Sequence, residues 1–236
     1  MNSVFHENIN SDFDKACDLA SKNFSHTELI QMLNSGNIAQ KQIAALKLDS
    51  ISSADDGKIL ISNLTGCDGK IREAVAWKIF ELLKNDSSIR CYLNYPEIFA
   101  DATIDINANI CRKAIDSAQF MIHFSDFKKI YSNKILKYIN ESFFELDKII
   151  YKDKKYTINK QLFKLYWALE ALKLFVDDIN PEILSTIFNR AMEEKEYTIR
   201  EKIAQIIKIS SSTQFHAMKN ELSKDENYYV RVAINS

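Results

Sequence analysis

Three large aromatic residues occupy one position of a repeated sequence pattern. Each lies eight residues after the anchor residue of one copy of the pattern, and they are Phe80, Phe120 and Trp167. Rings at such a position either pack between neighbouring helices or form an exposed stripe, and exposed aromatic stripes mark surfaces that bind a partner. Trp77 differs from these three because, at ~100° per residue, it lies nearly opposite the apolar side of its predicted helix. We therefore expect the indole of Trp77 to be exposed.

Lysines accompany the third of these aromatic residues. Lys160 and Lys164 share the outward half of the predicted helix that carries Trp167, and three more lysines lie in segment 151–156 before it. Aromatic side chains beside lysines could stack bases and neutralise phosphates, although a run of charges is also typical of a solvated helix surface. The candidate binding residues are Trp77, Phe80, Phe120, Lys164 and Trp167.

The remaining chemistry-bearing residues form no local catalytic or metal-binding motif. The four histidines stand alone, at His6, His26, His123 and His216. Gly66 and Gly69 do not form a glycine-rich phosphate loop. Asp55-Asp56-Gly57 lacks the downstream ligands of a calcium loop, so we interpret it as a turn and helix cap. The sequence predicts no catalytic residue, no metal and no cofactor.

The repeated pattern is an apolar residue followed by a basic one and a small or apolar stretch. It stands as IREAVA at Arg72, as IREKIA at Arg200 and as VRVAI at Arg231, with looser copies anchored at positions 41, 112 and 159. Successive anchors lie between 31 residues (41 to 72) and 47 residues (112 to 159) apart. Steps of this size are typical of stacked helix pairs.

The anchor arginines have a structural explanation. Each full copy has an acidic or amide residue four positions before its arginine, namely Asp68, Glu196 and Asn227. That residue would lie at the start of a helix and cap it. The arginine could then pair with it or with the equivalent group of the next repeat.

Apolar spacing and turn residues divide the chain, residues 1–236, into a capping helix and helix pairs of a single domain. We predict the capping helix at about 11–23, opened by Ser11, and repeats at about 25–51, 55–84, 89–122, 124–175, 180–209 and 212–236. Pro96 interrupts the third outer helix or delays its start, and segment 151–156 forms an exposed loop. The four Gly and two Pro of the chain argue against an all-β fold, since its hairpins need turn residues. The sequence predicts an all-α fold.

Residues 68–82, DGKIREAVAWKIFEL, resemble the inner half of a HEAT repeat, in particular the bacterial type named after phycobilisome lyases. Residues 196–209 and 227–234 show the resemblance less fully. Cys111 replaces an aliphatic residue of the pattern, and Asn159 replaces the arginine. The resemblance implies a right-handed α-α superhelix of about five to six HEAT-like helical repeats, whose inner helices form a concave face. It implies no particular activity, because this framework carries scaffolds, adaptors and a few enzymes.

The charge and the apolar pattern of the chain indicate in which compartment the protein lies and which class of partner it binds. The net charge of −1 selects neither nucleic acid nor a membrane surface. The first residues lack the pattern of a secretory signal, and no apolar run approaches the ~18 residues of a membrane span. We therefore expect a cytoplasmic protein without membrane contact. Its four scattered cysteines would then be buried, reduced thiols.

Two functional classes remain, with a third resting on a name alone. We predict a non-enzymatic, monomeric scaffold or adaptor that binds a protein partner through its concave face. The alternative is a nucleic-acid-binding protein, related to the HEAT-like alkylpurine DNA glycosylases, which are of similar length. The third hypothesis, a chromophore lyase or a non-catalytic relative, rests on the name of the repeat.

Overall fold

The computed structural model describes residues 17–148 and 155–236, which form six successive helix pairs. The α-helices are α1 (His26–Ser35), α2 (Ile38–Lys47), α3 (Ala54–Ser62), α4 (Gly69–Asn85), α5 (Pro96–Thr103), α6 (Ala108–Met121), α7 (Ser125–Lys148), α8 (Lys155–Leu172), α9 (Pro181–Met192), α10 (Tyr197–Ile209), α11 (His216–Leu222) and α12 (Tyr228–Asn235). Short 3-10 helices cover Asn63–Thr65, Ser88–Leu93, Val176–Asp178 and Thr213–Phe215. No strand occurs in this part of the chain. The predicted all-α fold of helical repeats is confirmed.

Two predicted features fall at the edges of the described residues. Residues 17–21 are helical and match the end of the predicted capping helix, whereas its cap, Ser11, lies outside the described residues. Most of the predicted loop, 151–154, also lies outside them. The helix after it begins at Lys155, two residues earlier than the sequence predicts, and Tyr156 on its first turn is 80% exposed.

Helix starts follow from capping side chains. Ser25 accepts from the amide of Glu28, whose carboxylate accepts from the amide of Ser25, and this capping box opens α1. Asn180 caps α9 with Pro181 at the first helical position, where a missing N–H costs nothing. Pro96 likewise begins α5, so the predicted delay of that helix is confirmed.

The helices divide into two compact units. The N-terminal unit contains residues up to Ala102 together with Asn107–Met121, and the C-terminal unit contains Thr103–Ile106 and Ile122–Ser236. In the N-terminal unit, the second helices of the pairs pack side by side in the order α2, α4, α6; in the C-terminal unit, the order is α8, α10, α12. We call these the inner helices.

Both cores are formed by apolar positions spaced three or four residues apart. Four residues at such positions are at most 5% exposed: Val75, Ile79, Ile203 and Ile207. One close approach involves backbone rather than side chains. A Cβ placed on Gly57 of α3 would lie 2.2 Å from the carbonyl oxygen of Tyr92, so only glycine fits there.

The anchor arginines bind the turns in front of their own helices. In each full copy, one guanidinium nitrogen donates to the carbonyls six and five residues earlier, which for Arg200 are those of Glu194 at 2.7 Å and Lys195 at 3.1 Å. Arg200 also forms a two-point pair with Asp225 of the next repeat, at 2.7 and 3.1 Å, rather than pairing with Glu196. Arg200 therefore does reach the next repeat, but it pairs with Asp225 and not with the predicted equivalent residue, Asn227. Asp68 caps α4 as predicted.

The cysteines are not uniformly buried. Cys17, Cys67 and Cys91 are exposed free thiols, and only Cys111 is buried. The expectation of four buried thiols was wrong for the first three. Cys67 lies in the turn before α4 and Cys91 in a short 3-10 helix, where side chains are not forced toward a core.

None of the helices in residues 17–148 and 155–236 combines the length and the apolar character that a bilayer span requires.

Candidate binding surfaces

Trp77 lies on the outward side of α4 and is 50% exposed. Val75, two residues earlier on the same helix, is fully buried. This difference follows from the ~200° that separates the two side chains around the helix axis. The expected exposure of the indole is confirmed.

A lysine from the next inner helix covers the two aromatic rings of α4. The Lys113 ammonium nitrogen lies 4.3 Å from the centroid of the Trp77 ring and 3.8 Å from that of Phe80. It also lies 3.1 Å from Oδ2 of Asp116 on its own helix. Both rings are within the distance at which a cation is attracted to the face of an aromatic ring.

Phe120 extends this group along α6. Its ring centroid lies 6.1 Å from that of Phe80 at an angle of 44°, and the guanidinium carbon of Arg90 lies 5.7 Å from it. Phe80 and Phe120 are half-buried, so each ring packs between repeats with one part and faces outward with another. We call the five residues Trp77, Phe80, Lys113, Asp116 and Phe120 the aromatic–lysine cluster.

Trp167 and Lys164 belong to the C-terminal unit and lie in different surroundings. Trp167 is only 7% exposed and packs against the rings of Phe163 and Tyr166, with centroids 6.2 and 5.3 Å away. Its Nε1 finds no hydrogen-bond acceptor among the described residues. Of the two interpretations of the recurring aromatics, packing therefore describes Trp167. Lys164 lines a cavity of about 360 Å³ that Tyr138 of α7 also lines.

A partly buried charge cluster joins α8 and α10 in the C-terminal unit. Glu170 accepts hydrogen bonds from Lys173 and Lys202, and both lysines also donate to Oε1 of Gln205. Gln205 in turn donates to Glu201 at 3.0 Å. The cluster therefore contains two ammonium groups that share one carboxylate, Glu170.

Burial and pairing oppose each other in setting the pKa values of this cluster. Burial raises the pKa of Glu170, but the hydrogen bonds from the two lysines outweigh it, so the pKa lies below its usual value. For Lys173, burial dominates and lowers the pKa, and the nearby Lys202 ammonium adds to that effect. For Lys202, burial also acts to lower the pKa, but its bond to Glu170 leaves the pKa raised.

Sequence reasoning identified the rings of the N-terminal unit but missed the charged residues beside them. Lys113 and Asp116 carry no motif of their own, since a lysine and a carboxylate three residues apart are common on helix surfaces. The one available signal is that Lys113 directly follows the anchor Arg112. The Glu170 cluster was missed because Lys202, on α10, lies 32 residues after Glu170 in sequence.

The described residues contain no cluster of side chains that could hold a metal ion. No group of three or more His, Cys, Asp or Glu side chains lies close enough together to hold a metal in residues 17–148 and 155–236. His26 instead bonds the carboxylate of Asp56 at 3.0 Å and joins the starts of α1 and α3.

Comparison with known proteins gives a likeness of fold. No protein-family model matches the chain, and no characterised protein is similar to it in sequence. A solved structure of an engineered protein from the Northeast Structural Genomics Consortium has a TM-score of 0.51 at 12% identity, over 90% of this chain and 96% of the other. The chain is similar to that protein in fold.

Two further solved structures are similar at lower scores. A second engineered protein of that consortium has a TM-score of 0.47 at 12% identity, over 89% of this chain and 94% of the other. The archaeal HEAT-like repeats protein from Thermococcus onnurineus NA1 has a TM-score of 0.47 at 16% identity, over 91% of this chain and 79% of the other.

Proposed function

We propose that this protein is a binding module that holds a protein partner on the aromatic–lysine cluster of its N-terminal unit. The observation that carries the proposal is the half-exposed indole of Trp77, held beside Lys113 on a rigid inner helix. Tryptophan is enriched among the residues that dominate binding energy, because it buries a large area at the centre of an interface.

The cluster is organised before any partner arrives. The Lys113 ammonium spans the rings of Trp77 and Phe80 and is fixed by Asp116. Side chains that are already held in place lose less conformational entropy on binding, and ordering a flexible side chain costs about 0.5–1.5 kcal/mol. A partner would therefore meet a surface that needs little rearrangement.

A second apolar side chain occupies the equivalent position of the preceding repeat. Leu46 follows the anchor of its repeat by five residues, as Trp77 follows Arg72, and it is 51% exposed. The helices that carry them, α2 and α4, pack side by side. Leu46 is thus a candidate to extend the apolar part of the surface toward the first repeat.

The charges around the cluster favour a protein over a nucleic acid. Lys113 is paired with Asp116, and Lys78 on α4 is paired with Glu81 at 2.8 Å. A protein that binds nucleic acid needs lysines or arginines whose charge is free to neutralise the phosphates of the nucleic-acid backbone. The salt dependence of binding measures how many phosphates are neutralised in this way. A surface on which paired charges surround an indole resembles a protein–protein interface more than a nucleic-acid-binding surface.

The test compares partner capture by wild-type protein, Trp77→Ala and the control Ile183→Ala. Ile183 lies on α9 of the C-terminal unit and is 48% exposed, so its truncation removes a comparable exposed apolar group elsewhere. Loss of a dominant tryptophan weakens binding by ~2 kcal/mol or more, about thirtyfold in affinity. The control variant should bind as the wild type does.

Identification of the partner completes the test. A photo-crosslinking amino acid at position 84, an exposed site two turns after Trp77 on the same side of α4, should attach the partner covalently and leave Trp77 intact. Mass spectrometry then identifies both the partner and its contact. Nuclease treatment before capture separates a protein from a nucleic acid. Equal capture by wild type and Trp77→Ala, or capture abolished by nuclease, would reject a protein partner at this cluster.

A further inference from the structure

We propose that the protein partner lays an extended segment on the aromatic–lysine cluster, with one side-chain carboxylate on Arg90 and apolar side chains on the rings. This proposal rests on the function proposed above and specifies the chemistry of the partner at the same site. Arg90 lies in the 3-10 helix Ser88–Leu93 of the N-terminal unit. Its guanidinium carbon is 5.7 Å from the ring centroid of Phe120, so Arg90 borders the cluster.

The Arg90 guanidinium has no carboxylate partner in the described part of the chain. Its Nε is buried and makes no hydrogen bond there. Asp86, four residues earlier, instead accepts from the amide of Ser88 at 2.7 Å. Lys113 and Lys78, by contrast, each have a carboxylate on their own helix. A carboxylate that arrives with a partner would therefore meet an arginine whose charge is not already paired.

Arginine at this place favours a carboxylate over other polar groups. Its N–H donors form a planar fork that matches two carboxylate oxygens, and such charged hydrogen bonds are among the stronger ones in proteins. Because Nε is buried, the carboxylate would bind through Nη1 and Nη2. Lys84 of α4 also lacks a carboxylate partner among the described residues, but it is fully exposed to solvent screening and would contribute little.

The spacing of the groups fits an extended chain. In such a chain every second side chain lies on the same side, at intervals of about 7 Å. Arg90 and Phe120 are 5.7 Å apart, and the rings of Phe120 and Phe80 are 6.1 Å apart. The rings of Phe80 and Trp77 lie 3.8 and 4.3 Å from one ammonium, that of Lys113. Neighbouring groups are thus about one interval apart, which places apolar side chains two and four residues away from the carboxylate.

The pentapeptides DSLSL and LSLSD are probes of this arrangement in its two directions. Both are acetylated and amidated, so that the aspartate carries the only carboxylate. Titration into the full chain, followed by amide and indole NMR spectra, should give a dissociation constant on the order of millimolar for the favoured direction. The indole N–H of Trp77 and the amides of residues 88–93 should shift, whereas the buried indole of Trp167 should not.

Changes in the peptide separate the contributions of charge and apolar groups. Asparagine in place of the aspartate removes the charge and keeps the shape, and it should weaken binding about tenfold. Alanine in place of both leucines removes apolar area that would be buried on the rings, and it should also weaken binding at least about tenfold.

A double-mutant cycle tests whether the carboxylate binds Arg90. Arg90→Gln should weaken binding of the acidic peptide about tenfold and leave binding of the asparagine peptide unchanged. Arg90→Lys keeps the charge without the fork, so its affinity should lie between those of the wild type and Arg90→Gln. The control Lys58→Gln removes a charge at an exposed position of α3 and should bind as the wild type does. Thermal unfolding checks that each variant is folded.

The outcomes distinguish this proposal from the function on which it rests. If the aspartate and asparagine peptides bind equally and both shift the Trp77 indole, the carboxylate on Arg90 is refuted while the protein-binding surface stands. Equal binding of the acidic peptide by wild type and Arg90→Gln has the same meaning. If no peptide binds although partner capture depends on Trp77, the extended acidic segment is refuted and the function stands. If a thymidine hexanucleotide shifts the Trp77 indole and binds more tightly than the peptides, both proposals fail.

Discussion

Replacement of Arg200 by methionine tests how strongly one arginine holds two successive repeats together. Methionine keeps the unbranched apolar stem but removes the guanidinium. In the native protein the Arg200 and Asp225 side chains are only 9% and 10% exposed. The substitution leaves Asp225 nearly buried without its partner and also removes the donor to the carbonyls of Glu194 and Lys195.

The expected cost follows from burial. Removal of one member of a buried ion pair costs about 3–5 kcal/mol where the remaining charge is left uncompensated. Asp225 keeps the amide of Asn227 as a donor and Arg231 as a nearby charge, so this range is an upper bound. At about 2–4 °C per kcal/mol for a chain of this size, the corresponding upper bound on the fall in melting temperature is about 6–20 °C. The control Lys137→Met breaks a pair with Glu141 whose side chains are 68% and 55% exposed, and it should cost at most about 1 kcal/mol.

The loss of stability caused by Arg200→Met should also depend on pH. Burial acts to raise the pKa of Asp225. The hydrogen bonds from Arg200 and from the amide of Asn227 outweigh burial, so the pKa lies below its usual value. A carboxyl whose folded pKa is lowered contributes stability above its unfolded pKa of about 3.9 and loses that contribution as pH falls through the folded pKa. The difference between wild type and Arg200→Met should therefore be full at pH 7 and shrink below about pH 4.

Urea and thermal unfolding measure the cost, and hydrogen exchange locates it. Because a repeat contacts its neighbours only, the amides of α11 and α12 should lose protection before those of α4. A loss of less than about 1 kcal/mol for Arg200→Met, or equal losses for it and Lys137→Met, would refute this reasoning.

Three further predictions concern single residues. Gly57→Ala should destabilise the protein by about 1–3 kcal/mol in urea unfolding, although alanine is the better helix former, because its Cβ meets a backbone carbonyl; a gain in stability would contradict the close approach. Acrylamide should quench the fluorescence of Trp77 far more than that of Trp167, so Trp77→Phe should remove most of the quenching and Trp167→Phe little of it. A thiol reagent should modify three cysteines of the native protein rapidly and Cys111 only on unfolding, and four equal rates would contradict its burial.

The sequence predicts the helices and their order because the relevant signals are local. Apolar spacing of three and four residues identifies the buried side of α4, and capping residues such as Asn180 and proline at position 96 mark where helices begin. The exposure of Trp77 follows from the same geometry, since only its angle from Val75 is needed.

Contacts between repeats could not be predicted in the same way. The anchors of α4 and α6 are 40 residues apart, 72 to 112, and the spacing differs from one repeat to the next. The distance from Lys113 to the ring of Trp77 depends on how the two helices are shifted along each other, which packing decides rather than local sequence. The exposure of Cys67 depends on the path of a turn, which apolar periodicity does not describe.

If a partner binds the aromatic–lysine cluster as proposed, the position of Lys113 restricts which side chains that partner can offer to the rings. Its ammonium already covers the rings of Trp77 and Phe80, and it is tethered there, so its effective concentration is far above that of any free ligand. A partner that offers an arginine or a methylated lysine to these rings must first displace this internal cation. Under the proposed function, the cluster would discriminate against cationic side chains and leave the uncovered part of the indole to apolar groups.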